Sequence, residues 1–270
     1  MLRRLVPVVA AAVLVSGAAG ASDSVPSGAR AQAFLTRLVG LGPRPAGSVA
    51  ERRADDLVAE ALRSAGFRVL VQPFRIPSGA TSRNVVGLGG GPIRVILVAH
   101  LDGVAGSASA NDNGSGVAAL VEAARVLGPQ PGLLVAALGA EERISTHALD
   151  HLGSLRLLRG LSDATRRQAM ALSLDMVGRG TYLAVRGLEP RPNRSARLVL
   201  ARARGLGLRP VYLLDLGSSD HRELTRGGLP SAWLEWRVDP CFDKPCDTLD
   251  RVSAQRLEQA TRVAVAFARG

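Results

Sequence analysis

Six side chains of the 270-residue chain are suited to chemistry by their type and spacing: His100, Asp102, Asp112, Glu141, Glu142 and Asp175. The first three fall within VILVAHLDGVAGSASANDNGSG, Val95 to Gly116. There an apolar run delivers His100, Asp102 follows two residues on, and Asp112 opens a helix pattern after a Gly/Ser/Ala loop. Glu141 and Glu142 come shortly after a second apolar run, Leu133 to Leu138, and Asp175 lies at the end of a third that starts at Ala169. Singly, each acid reads equally well as a helix cap or a surface carboxylate. Gathered at strand ends they would repel one another strongly without a compensating cation, and one or two divalent metals are the natural compensator. A metal-bound imidazole usually donates its other N–H to a carboxylate, which suits Asp102 beside His100. Asp112, with an oxygen for each ion, could bridge two metals about 3.5–4 Å apart. The neighbours Glu141 and Glu142 suggest a division in which one holds metal and the other, unligated, takes a proton from water.

The elements that must position these groups follow from periodicity. Ala29 to Leu41 has helical spacing and is broken by GPRPAGS. Ser48 caps a second helix, Val49 to Ala65, with Glu51 placed for a capping box. Phe67 to Arg75 alternates as a strand, Asn84 to Leu88 reads as another, and Ile93 to Ala99 as a buried central one. A helix to Leu127, the strand Leu133 to Leu138 and a broken helix from Ala148 to Arg166 come next. Then follow strands Ala169 to Met176 and Thr181 to Val185, a helix from Pro192 to Arg204 and a strand from Pro210 to Leu214. Ser219 and Asp220 cap a short helix around His221. Pro230 to Trp236 is the last strand and Ala254 to Ala268 the closing helix. Alternation with short connections predicts an α/β layered sandwich with a largely parallel central sheet. Its carboxyl edge, where ligands bind in such sheets, would gather five of them, His100, Asp112, Glu141, Glu142 and Asp175.

Composition narrows the function classes. The formal charge is +11, and every basic residue except Lys244 is arginine. These arginines are scattered and no nucleic-acid motif is present, so a solvated basic surface is expected and not a nucleic-acid partner. Arg3 and Arg4 precede an apolar segment, Leu5 to Val15, and Ala19-Gly20-Ala21 has the A-x-A form of a cleavage site. Residues 1–21 therefore read as a cleavable secretory signal, too short and wrongly flanked for a membrane span, and 22–270 as a single domain. Secretion or another extracytoplasmic location follows. In that oxidising setting Cys241 and Cys246 are expected to pair as a disulfide that sets local shape more than global stability.

The motifs HLD, ANDNGSGVAAL, GAEE, LDMVG, SSDH and DPC–PCDTLD, in this order from roughly Leu41 onward, resemble the secreted di-zinc aminopeptidases of clan MH, peptidase family M28. The resemblance implies a three-layer α/β/α sandwich with a mixed, mainly parallel central sheet. It implies an exported exopeptidase that hydrolyses N-terminal residues from peptides with a free N-terminus, using two zinc ions; a monomer is expected. Carried onto this chain, His100 would ligate one metal with Asp102 behind it, and Asp112 would bridge both, its peptide to Asn113 being non-prolyl cis in relatives. Glu141 would be the general base, Glu142 a ligand of the second metal and Asp175 of the first. Glu141 and Asp175 would hold the substrate's α-amine. Asp220 and His221, from the SDH element, would lie behind the ligands or along the substrate pocket.

The chain departs from the family at its last ligand, a histidine in a loop reading roughly C-Y-H-x-x-C-D-T. Here the loop is Cys241-Phe242-Asp243-Lys244-Pro245-Cys246-Asp247-Thr248. Phe242 replaces a tyrosine whose hydroxyl helps stabilise the oxyanion, and losing one such donor can cost about a hundredfold in rate. Three readings of Asp243 stand. It ligates the second metal in an all-carboxylate set that suits harder ions than zinc; it is too short to reach, leaving the position weakly occupied; or the site has decayed and the protein binds without turnover. The segment RISTHALDHLGS also departs from the family pattern, and His147 and His151 within it read as surface helix residues. No G-x-S-x-G elbow supports a serine hydrolase, and Ser115 and Ser218 read as loop or cap residues. A single-zinc glutaminyl-cyclase-like acyltransferase is the other enzymatic alternative, though HLD and EE fit the peptidases better.

Overall fold

In a computed structural model, residues 24–143 and 150–270 are described; the expected signal, 1–21, and His147 lie outside them. Eight strands form one mixed sheet: β1 (Arg68–Arg75), β2 (Thr81–Leu88), β3 (Val95–His100), β4 (Leu133–Leu138), β5 (Met170–Leu174), β6 (Tyr182–Gly187), β7 (Val211–Leu214) and β8 (Ser231–Arg237). Their order is β1-β2-β4-β3-β5-β8-β6-β7. The central run β4-β3-β5-β8 is parallel, whereas β1 and β2 on one side and β6 on the other are antiparallel to their inner neighbours. Around the sheet lie α1 (Gly28–Val39), α2 (Val49–Ser64), α3 (Gly116–Leu127), α4 (Leu152–Arg159), α5 (Asp163–Gln168), α6 (Arg194–Gly205), α7 (His221–Arg226) and α8 (Ala254–Ala268).

The central strands are apolar on both faces because both faces are covered, which is why they read as continuous runs. Leu97, Ala99, Val135, Ala137, Leu172 and Leu174 face a thick layer formed by α1, α2, α3, α6 and α8. Ile96, Val98, Leu134, Ala136, Leu138 and Ala171 face a thinner one closed by Leu157 and Leu158 of α4 and Leu224 of α7. This is the expected three-layer α/β/α sandwich. With a side-chain period of two, His100 continues the thin-layer face of β3. No helix among the described residues is long and apolar enough to cross a membrane.

Three local expectations are corrected. Ser48 caps α2 through the amide of Glu51, but the Glu51 carboxylate does not return to Ser48. It accepts from the Gly47 amide and the Ser82 hydroxyl instead, because β2 brings Ser82 over the helix start. β2 also begins at Thr81, earlier than its apolar residues suggest; pairing with β1, Arg75 opposite Thr81, extends it. Asp220 does not cap α7: its side chain is fully buried and makes no cap hydrogen bond.

Candidate metal centre

Because β4, β3 and β5 are parallel neighbours, their carboxyl ends deliver Glu141 and Glu142, His100 and Asp175 to one edge. His100 Nε2 lies 3.2 Å from Asp112 Oδ1, 3.5 Å from Asp175 Oδ1 and 3.9 Å from Glu141 Oε2. Among the described residues three sets have ligand atoms within 4.8 Å of one another: His100/Asp112/Asp175 and Asp112/Glu142/Asp243, which share Asp112, and His100/Glu141/Glu142. All six residues border a cavity of about 710 Å³.

The donor set fits divalent cations. Asp175 Oδ1 and Glu142 Oε1 are buried without a hydrogen-bond partner. Burial pushes Asp112 up to about 7 and Glu142 up to about 11, with Asp175 adding to the first and Asp112 and Glu141 to the second. Burial also holds Glu141 well above the usual carboxylate range. For His100, burial opposes protonation, but the carboxylates of Glu141 and Asp175 raise its affinity for a proton well above normal. Acids that cannot all ionise beside one another, with acceptor oxygens left over, are matched by an ion that replaces their protons.

Buried carboxylates hold the ligand-bearing loops by their amides. Asp102 lies behind His100, with Oδ1 3.7 Å from Nδ1. Its two oxygens also accept from the amides of Glu141 (3.0 Å) and Glu142 (3.1 Å), so it fixes the loop after β4. Asp247 does the same for Asn111 (2.7 Å) and Asp112 (2.9 Å), tying the cysteine loop to the turn Ala110–Ser115. Asp215 accepts from Gly217 and Ser218. The Asp112–Asn113 peptide is cis. Asn113 is fully buried behind the ligands, donating to Leu174 O and accepting from the amides of Gly116 and Met176. Gly116 must lack a side chain: a Cβ would stand 2.1 Å from Leu174 O, so only glycine lets α3 start this close to β5.

Arg44, in the segment read only as a helix breaker, is fully buried. Its guanidinium donates to three main-chain carbonyls, Leu101 (3.0 Å), Ala108 (3.1 Å) and Ser109 (2.9 Å), and so braces the loop between His100 and Asp112. Burial lowers its pKa to about 10, opposed by the nearby charges of Asp102, Asp247 and Asp112. Arg44→Met would leave the carbonyls of Leu101 and Ala108 without their donor, at about 1–3 kcal/mol each, while Ser109 O keeps the Gly114 amide. The expected loss is at least about 2 kcal/mol, read as a lower denaturant midpoint.

Cys241 and Cys246 form the expected disulfide, their Cα atoms 5.3 Å apart. It closes the loop that carries half-exposed Phe242 and Asp243 to the cavity. His221 is fully buried, with Nε2 3.2 Å from Asp215 Oδ2 and its ring 5.7 Å from that of Trp233. His151 is not the surface residue its spacing suggested. It is buried, and its Nε2 lies 3.0 Å from Glu141 Oε1. The cavity wall also holds Arg186, which stacks 4.1 Å over Trp233 and pairs with Asp215 and Glu235. An arginine and a glutamate at alternating strand positions carried no sequence signal beyond that of a solvated face. Among the described residues, six that are not glycine have left-handed φ: Ser109, Ala140, His151, Met176, Val238 and Asp243. Each lies in the cavity wall or in a loop that holds the ligands, as expected if strain is tolerated where function requires it.

The family model for "Peptidase family M28" matches residues 84–268. Aminopeptidase YwaD of Bacillus subtilis (strain 168) is 33% identical over 201 residues; the match takes in 67% of this chain but only 42% of that protein. The structure of BSAP, a zinc aminopeptidase from Bacillus subtilis, superposes with a TM-score of 0.82 at 22% identity, covering 90% of this chain and 94% of that one. A glutaminyl cyclase from Bacteroides thetaiotaomicron, bound to N-acetylhistamine, shares the fold with a TM-score of 0.76 at 20% identity, covering 90% and 97%. With the family model spanning well over half of its length, the chain belongs to peptidase family M28.

Proposed function

We propose that this chain is an exported, metal-dependent aminopeptidase that hydrolyses N-terminal residues from peptides. The observation that carries the reading is the pair of ligand sets sharing Asp112, with the buried carboxylate of Glu141 beside them. His100, Asp112 and Asp175 would hold one divalent ion, zinc by the softness of the imidazole, and Asp112, Glu142 and Asp243 a second. Such ions polarise a carbonyl oxygen and make water a nucleophile at neutral pH. Glu141 takes the proton of the attacking water and returns it to the leaving amine. Asp175 and Glu141 supply negative charge for the substrate's free α-amine. Phe242 stands at the cavity mouth without a hydroxyl, so the developing oxyanion lacks that donor. Residues 22–270 act as one catalytic domain and as a monomer, after removal of 1–21.

The second position, with three carboxylates and no nitrogen ligand, suits a harder ion such as manganese or calcium better than zinc. Two ligand sets support the peptidase over a single-zinc acyltransferase. The test is hydrolysis of aminoacyl-nitroanilides by purified protein dialysed against zinc, manganese, cobalt or calcium, with elemental analysis alongside. Turnover lost in Glu141→Ala is expected. Absence of turnover with every metal would overturn the reading in favour of a binding module. Asp243→His is expected to raise bound zinc towards two per chain; unchanged zinc would count against Asp243 as a ligand.

A further inference from the structure

We infer that His151 is a positioning residue for Glu141: its Nε2–H holds one carboxylate oxygen so that the other faces the reacting water. The inference rests on the reading of Glu141 as general base and assigns it a partner. The two oxygens of Glu141 point to opposite sides. Oε1 lies 3.0 Å from His151 Nε2, while Oε2 lies 3.9 Å from His100 Nε2, on the side of the candidate metal positions. A carboxylate free to rotate would present either oxygen. One tied at Oε1 presents a single acceptor in a fixed direction, which is what proton abstraction needs.

The imidazole is itself held firmly. The His151 amide donates to Glu141 O (2.9 Å) and the Leu152 amide to Ala140 O (2.8 Å), so the start of α4 is stapled to the loop that carries the base. Ser154 Oγ donates to the His151 carbonyl. Behind the ring, Nδ1 is 3.8 Å from Asp150 Oδ1 and 4.0 Å from Glu223 Oε1, and makes no hydrogen bond. Both of those acids are engaged by Arg222. Of the three acids within 4.0 Å of the ring, Glu141 is the one not paired with arginine, and it faces Nε2. The ring is buried, which lowers its affinity for a proton.

The backbone supplies an independent argument. His151 has φ of 54°, a left-handed conformation that glycine adopts freely and that costs other residues about 1–2 kcal/mol. A histidine kept where the chain would relax with glycine points to a use for the side chain.

Two variants and a spectroscopic measurement test this. His151→Phe keeps a ring but removes the donor, and His151→Gln retains an N–H near the position of Nε2. His151→Phe is expected to lower kcat on the order of 10- to 100-fold with KM and metal content unchanged. His151→Gln should recover most of that loss. Equal activity of the two variants, or a change confined to KM, would overturn the inference. Independently of turnover, ¹⁵N spectra of the zinc-loaded protein should show His151 as the Nε2–H tautomer, with an Nε2 resonance that moves in Glu141→Gln. An Nδ1–H tautomer, or an Nε2 signal indifferent to that change, would overturn it even if the protein proves inactive. Inactivity of the wild type with every metal would sink the peptidase reading alone.

Discussion

Glu141→Gln is expected to lower kcat by about 10²–10⁴-fold, the range supplied by a positioned general base, while the metal content stays at the wild-type level. Gln is nearly isosteric, so the cavity keeps its shape, and the Asp102 clamp acts on the main-chain amides of residues 141 and 142, which the change leaves in place. What is lost is a buried carboxylate that the two sets sharing Asp112 do not include, although it also stands within ligand distance of His100 and Glu142. Parallel measurement of turnover and bound metal separates the outcomes. A joint fall in both would make Glu141 a ligand; retained turnover would remove it from the mechanism.

Asp112→Asn is expected to strip both metal positions, leaving protein that fails to retain ions through dialysis and turns over at background. Asp112 belongs to both ligand sets and is almost fully buried between them. Its amide is fixed by Asp247, so the loss would be of a ligand and not of a loop. Asp175→Asn, in one set only, should by contrast disturb a single position. Elemental analysis of the two variants decides the matter: equal metal loss in both would contradict a bridging role for Asp112.

The parts of the molecule that were legible in the sequence are those written in continuous apolar runs. β3, β4 and β5 are covered on both faces, so their hydrophobicity marks them without alternation, and the polar residues that end them stand out. The placement of His100, Glu141, Glu142 and Asp175 at one edge follows from that alone. Asp243 was recognisable only as an exception to a family pattern, and the disulfide only from spacing and compartment. Other features are tertiary and had no local signature. Arg44 sits between two prolines in a segment that reads as a turn, and only the closed fold shows that its guanidinium fills a cage of carbonyls. Asp102 lies two residues from His100, and that spacing places it behind the imidazole. The path of β4 also brings the Glu141 and Glu142 amides to its carboxylate. His151 looked like one of two exposed histidines on a helix. Its ring is turned inward because residues 151 and 152 pair with 140 and 141 instead of starting the helix at the surface.

The six left-handed residues around the cavity bear on how this protein would respond to selection for durability. At Ala140, His151 and Met176 the backbone would relax by about 1–2 kcal/mol if the side chain were removed. A library screened for survival of heating, with no demand on turnover, would drift towards glycine at these positions. It would then free the hinge before Glu141, drop the imidazole behind it and loosen the residue after Asp175. Thermal tolerance and catalytic competence are set against each other in the same few torsion angles, so a hardened variant should be screened on substrate at every round.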